Sequence, residues 1–342
     1  MTDATLISGY DLVIFDLDGV LYLTEQAVAG AVPAVRQLAA RKVPVVYATN
    51  NASRSVEGVV ELLTRLGYPA RPQDVITSAR ATAALLAERY PAASPVLVVG
   101  SPALADDIKQ AGLCPVASAA DQPVVVVQGF GPQVGWQLLA EAHVAVRAGA
   151  AWIATNADRT VPSPRGALPG NGSLLAVLAT SLNRPPDLIV GKPDPGLFQQ
   201  AVRQQPAARP LVVGDRLDTD IEGANRAGMD SLFVLTGVSR PADLLAAEPH
   251  LRPTYVAEDL AGFFEPGVPL ASASAAEGTG WNVVVHEGAL ILTGQGAPID
   301  ALRALCAPAW ARRDSVGNPA EAVVVRAQSP TAVAALGELG LA

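Results

Sequence analysis

The chain has 342 residues, a net charge of −8, 50% hydrophobic and 16% charged residues. That apolar share excludes wholesale disorder and, at roughly 100–200 residues per domain, supports about two domains. The acidic balance, without a single basic run, argues against nucleic acid as a partner.

Only three of the 24 cations are lysines, Lys42, Lys109 and Lys192. Cys114 and Cys306 lie far apart without metal-ligand spacing, as lone thiols of a reducing cytosol do. The start lacks the positive region of a secretory signal, and the two charge-free segments, 122–140 and 166–183, contain proline and several glycines. No membrane span and a cytoplasmic location are therefore expected.

In chain order, residues 11–15 (DLVIF) form a short apolar run, as expected of a strand buried on both faces. A helix over 32–41, a strand over 43–48 and a helix over 55–66 follow. Further strands are predicted at 96–99, 124–128, 151–154, 188–190, 211–213 and 231–234, with helices at 136–148, 173–180, 196–204 and 220–227 between them. This alternation implies an α/β fold with a parallel sheet covered by helices. Residues 266–280, rich in Pro, Gly, Ser and Ala, read as a linker. Beyond it, strands at 281–286 and 289–293, a helix at 299–307, a strand at 322–326 and a helix at 331–339 make a small α+β domain, 281–342. Its size is marginal for independent stability, so it is expected to dock on the main body.

Four predicted strands end in polar residues. FDLDGV places Asp16 and Asp18 after the first, and VVGDRLDTD places Asp215 and Asp220 after a later one. ATNN gives Thr49, Asn50 and Asn51, and GKPDP gives Lys192. Each has an ordinary explanation as well. Asp-Gly is a common turn, Asp220 could cap the helix at 220–227, and a lone lysine is usually a solvated charge. Taken together, they set acids, a hydroxyl with amides, and a cation at the carboxyl ends of strands, where open α/β sheets bind ligands.

Clustered aspartates are costly unless a cation neutralises them, and Mg²⁺ accepts oxygen ligands while keeping room for water and phosphate. A phosphate ester is the natural substrate. An ionised Asp16 needs no base to attack phosphorus, and Asp18 could protonate the leaving alkoxide and then deprotonate the hydrolytic water. Positive groups would offset charge on the transferring phosphoryl group.

FDLDGVL, TNN, GKPDP and GDRLDTD, in that order, resemble the four motifs of the haloacid dehalogenase-like (HAD) hydrolases. The resemblance implies Asp16 as nucleophile, Asp18 as general acid/base, and Mg²⁺ held by Asp16, the Asp18 backbone carbonyl and Asp215. Asp220 would stand in the first or second shell of the metal. It also implies Thr49, Asn50, Asn51 and Lys192 as phosphate binders, and the acid at Asp18 argues against dehalogenation.

The 143 positions between Thr49 and Lys192 are too many for a loop. An inserted α/β cap, 78–185, is expected within a Rossmann-like hydrolase core, 1–77 and 186–265. That placement resembles the type IIA branch, the NagD-like and nitrophenylphosphatase-like enzymes, as do TNNASRS, PGNGS and the segment Ala154-Thr155-Asn156-Ala157-Asp158. The branch more often reads Thr-Asn-Pro-Asp there. Asn156, Asp158, Arg159, Arg165 and Asn171 are the cap residues from which specificity is expected.

Within the branch, ATNADRTVPSPRGALPGNGSL and VGDRLDTDIEGANRAGMDSLFVLTGV resemble glycerol 3-phosphate phosphatases that carry a short tail likened to an acetyltransferase fragment. Glycerol 3-phosphate is thus the favoured substrate, with phosphoglycolate, a sugar phosphate or a nucleotide as alternatives. A catalytically idle ligand-binding or regulatory protein is the alternative of another class. The tail shows only Gly294-Gln295-Gly296, more like a turn than a pyrophosphate loop. PGNGS could present N–H groups to an anion or simply cap a helix with Ser173. His143, His250 and His286 are too scattered for zinc. The resemblance admits a homodimer.

Overall fold

The computed structural model describes residues 5–161, 163, 165–272, 277–316 and 323–342, with the side chain of residue 316 excepted. The chain divides into two compact units, Met1–Leu21 with Val28–Pro44 and Ala207–Ala342, and Tyr22–Ala27 with Val45–Pro206.

In the first unit, the strands Tyr255–Ala257, Asp230–Val234, Pro210–Gly214 and Leu12–Phe15 lie side by side in that order, all parallel. Every residue of Leu12–Phe15 is buried, which is why its sequence is a continuous apolar run rather than an alternation. The strand Pro210–Gly214 passes into a π-helical turn, Leu217–Ile221, and then the short helix Glu222–Ala227, closed by Gly228 in the left-handed conformation.

The C-terminal part pairs Trp281–His286 antiparallel with Ala289–Gly294, and the latter parallel with Val325–Ala327. Residue 322, expected to begin that last strand, lies outside the described residues, as do residues 273–276 of the expected linker. The helix Pro298–Val316 runs nine residues beyond the expected end, straight through Pro308. Packing is the reason: Ala309 and Trp310 are buried beside Leu302 and Leu305 in one cluster that also holds Leu217, Ile221, Phe233, Leu244 and Leu245. Burial of that face offsets the hydrogen bond that an interior proline removes.

In the second unit, Val45–Thr49 and Val75–Thr77 pair in parallel. A separate five-stranded sheet, all parallel, has the order Leu188–Ile189, Ala151–Ala154, Val125–Gln128, Pro95–Val99, Cys114–Val116. The helices Trp136–Arg147 and Asn171–Leu182 bury Ala142, Val146, Leu175 and Leu178 against Val126 and Trp152 of that sheet. Helix Val56–Leu66 starts where the Ser55 hydroxyl accepts from the Gly58 N–H and stops at Gly67, which is left-handed. Among the described residues, no helix is long and apolar enough to cross a membrane.

Candidate active site

The parallel strands Leu12–Phe15 and Pro210–Gly214 pair Phe15 with Val213, and the Asp16 N–H donates to the Val213 carbonyl at 2.8 Å. That register brings Asp16 beside the loop that starts at Asp215. Carboxylate oxygens of Asp16, Asp215 and Asp220 all lie within 4.8 Å of one another, with Asp215 and Asp220 buried and Asp16 half-buried. Asp18, also half-buried, stands outside this group.

The neighbouring backbone fixes these acids. The Val238 N–H donates to Asp215 Oδ2 at 2.7 Å, and the Arg216 N–H to Asp220 Oδ2 at 3.2 Å. The Ser239 N–H donates to the Asp215 carbonyl at 3.1 Å, while its hydroxyl accepts from the Leu217 N–H at 3.1 Å. Gly19 and Gly237 lie so close that a Cβ on either would collide with the Asp215 carboxylate. Gly19 also has φ +89°, a conformation that side chains disfavour. Asp220 does not cap a helix, as one reading of its sequence position allowed. It sits inside the π-helical turn, and Ile221 precedes the helix Glu222–Ala227.

Three carboxylates drawn from two strand ends and held this close repel one another when ionised. Such an all-oxygen donor set suits a hard divalent cation, and magnesium in particular, which needs only one or two carboxylates beside water and phosphate.

In the second unit, Lys192 is 2% exposed, and its ammonium donates to the Ala48 carbonyl at 3.1 Å above the Phe198 ring. Its main chain is gripped by Asn50: the Lys192 N–H donates to Oδ1 at 2.8 Å, and Nδ2 donates to the Lys192 carbonyl at 3.0 Å. Asn50 Nδ2 also reaches Asp158 Oδ1 at 3.3 Å. The Asn50 carbonyl in turn accepts from Ser78 Oγ and Asn156 Nδ2, each at 2.7 Å. The Thr49 hydroxyl accepts from the Asn51 N–H at 3.0 Å, and Asn51 Oδ1 accepts from the N–H and hydroxyl of Ser53.

Three family models match the chain: haloacid dehalogenase-like hydrolase over residues 13–114, HAD-hydrolase-like over 189–263, and GCN5-related N-acetyltransferase like domain over 279–341. The chain is 45% identical over 287 residues to the D-glycerol 3-phosphate phosphatase of Mycobacterium tuberculosis, covering 84% of this chain and 79% of that protein. It belongs to the haloacid dehalogenase-like hydrolases.

Another relative and two solved structures are similar to this hydrolase. The acid sugar phosphatase of Staphylococcus aureus is 36% identical over 253 residues, 73% of this chain and 95% of the relative. The crystal structure of glycerol phosphate phosphatase from Mycobacterium tuberculosis in complex with magnesium superposes with a TM-score of 0.89 at 39% identity, covering 99% of each chain. The p-nitrophenyl phosphatase of Archaeoglobus fulgidus gives 0.68 at 29% identity over 73% of this chain and 97% of that one. The fold is thus the expected one, a Rossmann-like hydrolase core elaborated by further α/β structure and a small C-terminal domain.

Within this hydrolase, the predicted cap residues divide by environment. Asn156 and Asn171 are buried and knit backbone together: Asn171 Nδ2 donates to the Asn156 carbonyl at 2.7 Å, and Asn156 Oδ1 accepts from the Asp158 N–H at 3.2 Å. Asp158 is half-buried against Asn50, whereas Arg159 and Arg165 are exposed. Gly170, not Ser173, precedes the helix Asn171–Leu182, and the Ser173 hydroxyl donates to the Arg159 carbonyl. Sequence reasoning missed Ser78 and Ser239, which hold Asn50 and the Asp215 loop. Neither lies in a motif or shows a pattern that could have singled it out.

Proposed function

We propose that the protein is a magnesium-dependent phosphatase of small phosphate monoesters, with glycerol 3-phosphate as its substrate. The observation that carries the reaction class is the convergence of the Asp16, Asp215 and Asp220 carboxylates. The substrate follows from the likeness, over most of the chain, to a D-glycerol 3-phosphate phosphatase.

In this reading, Asp16, Asp215 and the Asp18 backbone carbonyl would hold the ion, and Asp220 would serve as a further ligand or orient one. When bound, magnesium supplies positive charge against the phosphoryl oxygens. An Asp16 carboxylate oxygen attacks phosphorus, the bond from phosphorus to the ester oxygen breaks, and the Asp18 carboxyl gives its proton to the departing alkoxide. Asp18, now a carboxylate, takes a proton from water as that water's oxygen attacks phosphorus. The Asp16–phosphorus bond breaks, and inorganic phosphate leaves with Asp16 and Asp18 restored. The resemblance of their motifs assigns phosphoryl-oxygen binding to the Lys192 ammonium and the Thr49 hydroxyl, groups that would offset negative charge. Asn50 and Asn51 shape that loop, and Asp158, with Arg159 and Arg165, belongs to the cap segment that chooses the alcohol. The hydrolase core comprises residues 1–77 and 186–265, and the cap 78–185.

The test is kcat/KM for phosphate release from glycerol 3-phosphate, phosphoglycolate, sugar phosphates and nucleoside monophosphates. A preference for glycerol 3-phosphate of about tenfold or more supports the substrate assignment, a difference of about 1.4 kcal/mol in transition-state binding. Equal turnover of all four, or a preference for another, contradicts it.

A further inference from the structure

The C-terminal domain shares a core with the loop that carries the acidic cluster. Leu217 and Ile221, which flank Asp220 in the π-helical turn, belong to one hydrophobic cluster with Leu244, Leu245, Leu302 and Trp310. The short helix Pro241–Leu245 is the intermediary. At its C-terminal end, the Leu244 carbonyl accepts from the buried Trp310 indole N–H at 2.9 Å. Just before its N-terminal end, Val238 and Ser239 make the contacts to Asp215 and Leu217 described above. A second clasp lies nearby. Arg252 stacks 5.2 Å from the Trp310 ring, donates to the Ala247 carbonyl at 3.1 Å, and grips both Asp314 oxygens at 2.8 and 2.6 Å.

We propose that Trp310 is a positioning residue for the metal site, and that the C-terminal domain serves the hydrolase by holding the Asp215–Asp220 loop in its ligating shape. This rests on the assignment of Asp16, Asp215 and Asp220 as the metal-binding group. A fixed helix keeps the Val238 N–H on Asp215, and the buried Leu217 and Ile221 set the pitch of the turn that presents Asp220. Groups that orient metal ligands govern affinity even though they do not touch the ion. Trp310 acts one step further out, through the Leu244 carbonyl.

The test is Mg²⁺ titration of the full chain by calorimetry, without substrate. Trp310→Phe keeps an aromatic ring but loses the N–H, and we expect roughly a three- to tenfold weaker Mg²⁺ affinity, below the effect of groups that touch the ligands directly. Leu336 is buried in the same core on the helix Pro330–Glu338, which packs on the strands Ala289–Gly294 and Val325–Ala327 and on the helix Pro298–Val316. Leu336→Ala should therefore lower the melting temperature and leave Mg²⁺ affinity unchanged. Unaltered affinity in Trp310→Phe, or an equal loss in Leu336→Ala, overturns the proposal.

Linkage supplies a measurement that needs no variant. Mg²⁺ should slow hydrogen exchange in residues 302–310 of the unaltered protein as well as in residues 215–221. Protection of 215–221 alone overturns the coupling. Absence of Mg²⁺ binding to the unaltered protein, or binding undiminished in Asp215→Asn, would instead overturn the metal assignment itself.

Discussion

The carboxamide of Asn50 closes on both polar groups of the Lys192 main chain, accepting from its N–H at 2.8 Å and donating to its carbonyl at 3.0 Å. The two residues lie 142 positions apart in the chain. Asn50 therefore sets the backbone from which a nearly fully buried ammonium extends, and it ties that backbone to Asp158.

Asn50→Ala should leave two buried backbone groups of Lys192 without this partner, at a cost of about 1–3 kcal/mol for each group left unsatisfied. If the cost of one such group, about 1–3 kcal/mol, is felt in the transition state, kcat/KM falls roughly five- to 150-fold. Steady-state kinetics beside a thermal melt check it. Unchanged kinetics would show that Lys192 needs no such clamp.

Gly237→Ala probes the space around Asp215. A Cβ there would strike the Asp215 carboxylate, so the acid must move off its Val238 bond. Mg²⁺ affinity should fall about tenfold or more while the circular dichroism spectrum is retained. Titration of the variant with Mg²⁺ decides it.

Removing a carboxylate of the acidic cluster should do more than displacing one. Asp215→Asn and Asp220→Ala are each expected to weaken Mg²⁺ binding by roughly 10–100-fold, at least the cost of losing an outer partner. Asp18→Asn should leave Mg²⁺ binding intact and lower kcat, because its proposed metal contact is a backbone carbonyl. Calorimetry and turnover of the same samples separate the two effects.

Asp107, on the helix Pro102–Gln110, is 7% exposed and its Oδ2 has no hydrogen-bond partner among the described residues. Burial pushes its pKa up from 3.8 to about 6; Arg80 opposes the shift, and Glu57 and Asp106 add to it. The folded chain thus holds this proton more tightly than the unfolded chain. Its contribution to stability is complete below about pH 4 and is lost as pH rises through about 6. Asp107→Asn should raise the melting temperature at pH 7–8 by a few degrees and change it little at pH 4. A melting series across that range checks the sign.

The acidic cluster was legible because two fully apolar runs, each a doubly buried strand, deliver their aspartates at the same end of parallel neighbours. The Asn50 clamp was not legible, since it joins side chain to backbone across 142 positions and leaves no local pattern. Hairpin strands of two residues, Tyr22–Leu23 and Gln26–Ala27, are too short to show an alternation. Pro308 hid the second half of the helix Pro298–Val316, because local propensity says stop where the buried face of Ala309 and Trp310 says continue.

The most direct test of the account is phosphate release from glycerol 3-phosphate by the unaltered protein with Mg²⁺, the same protein with EDTA, and Asp16→Asn with Mg²⁺. Turnover in the first sample, lost in the other two, is what an Asp16 nucleophile beside a magnesium ion predicts. Turnover that survives EDTA, or survives Asp16→Asn, would contradict it.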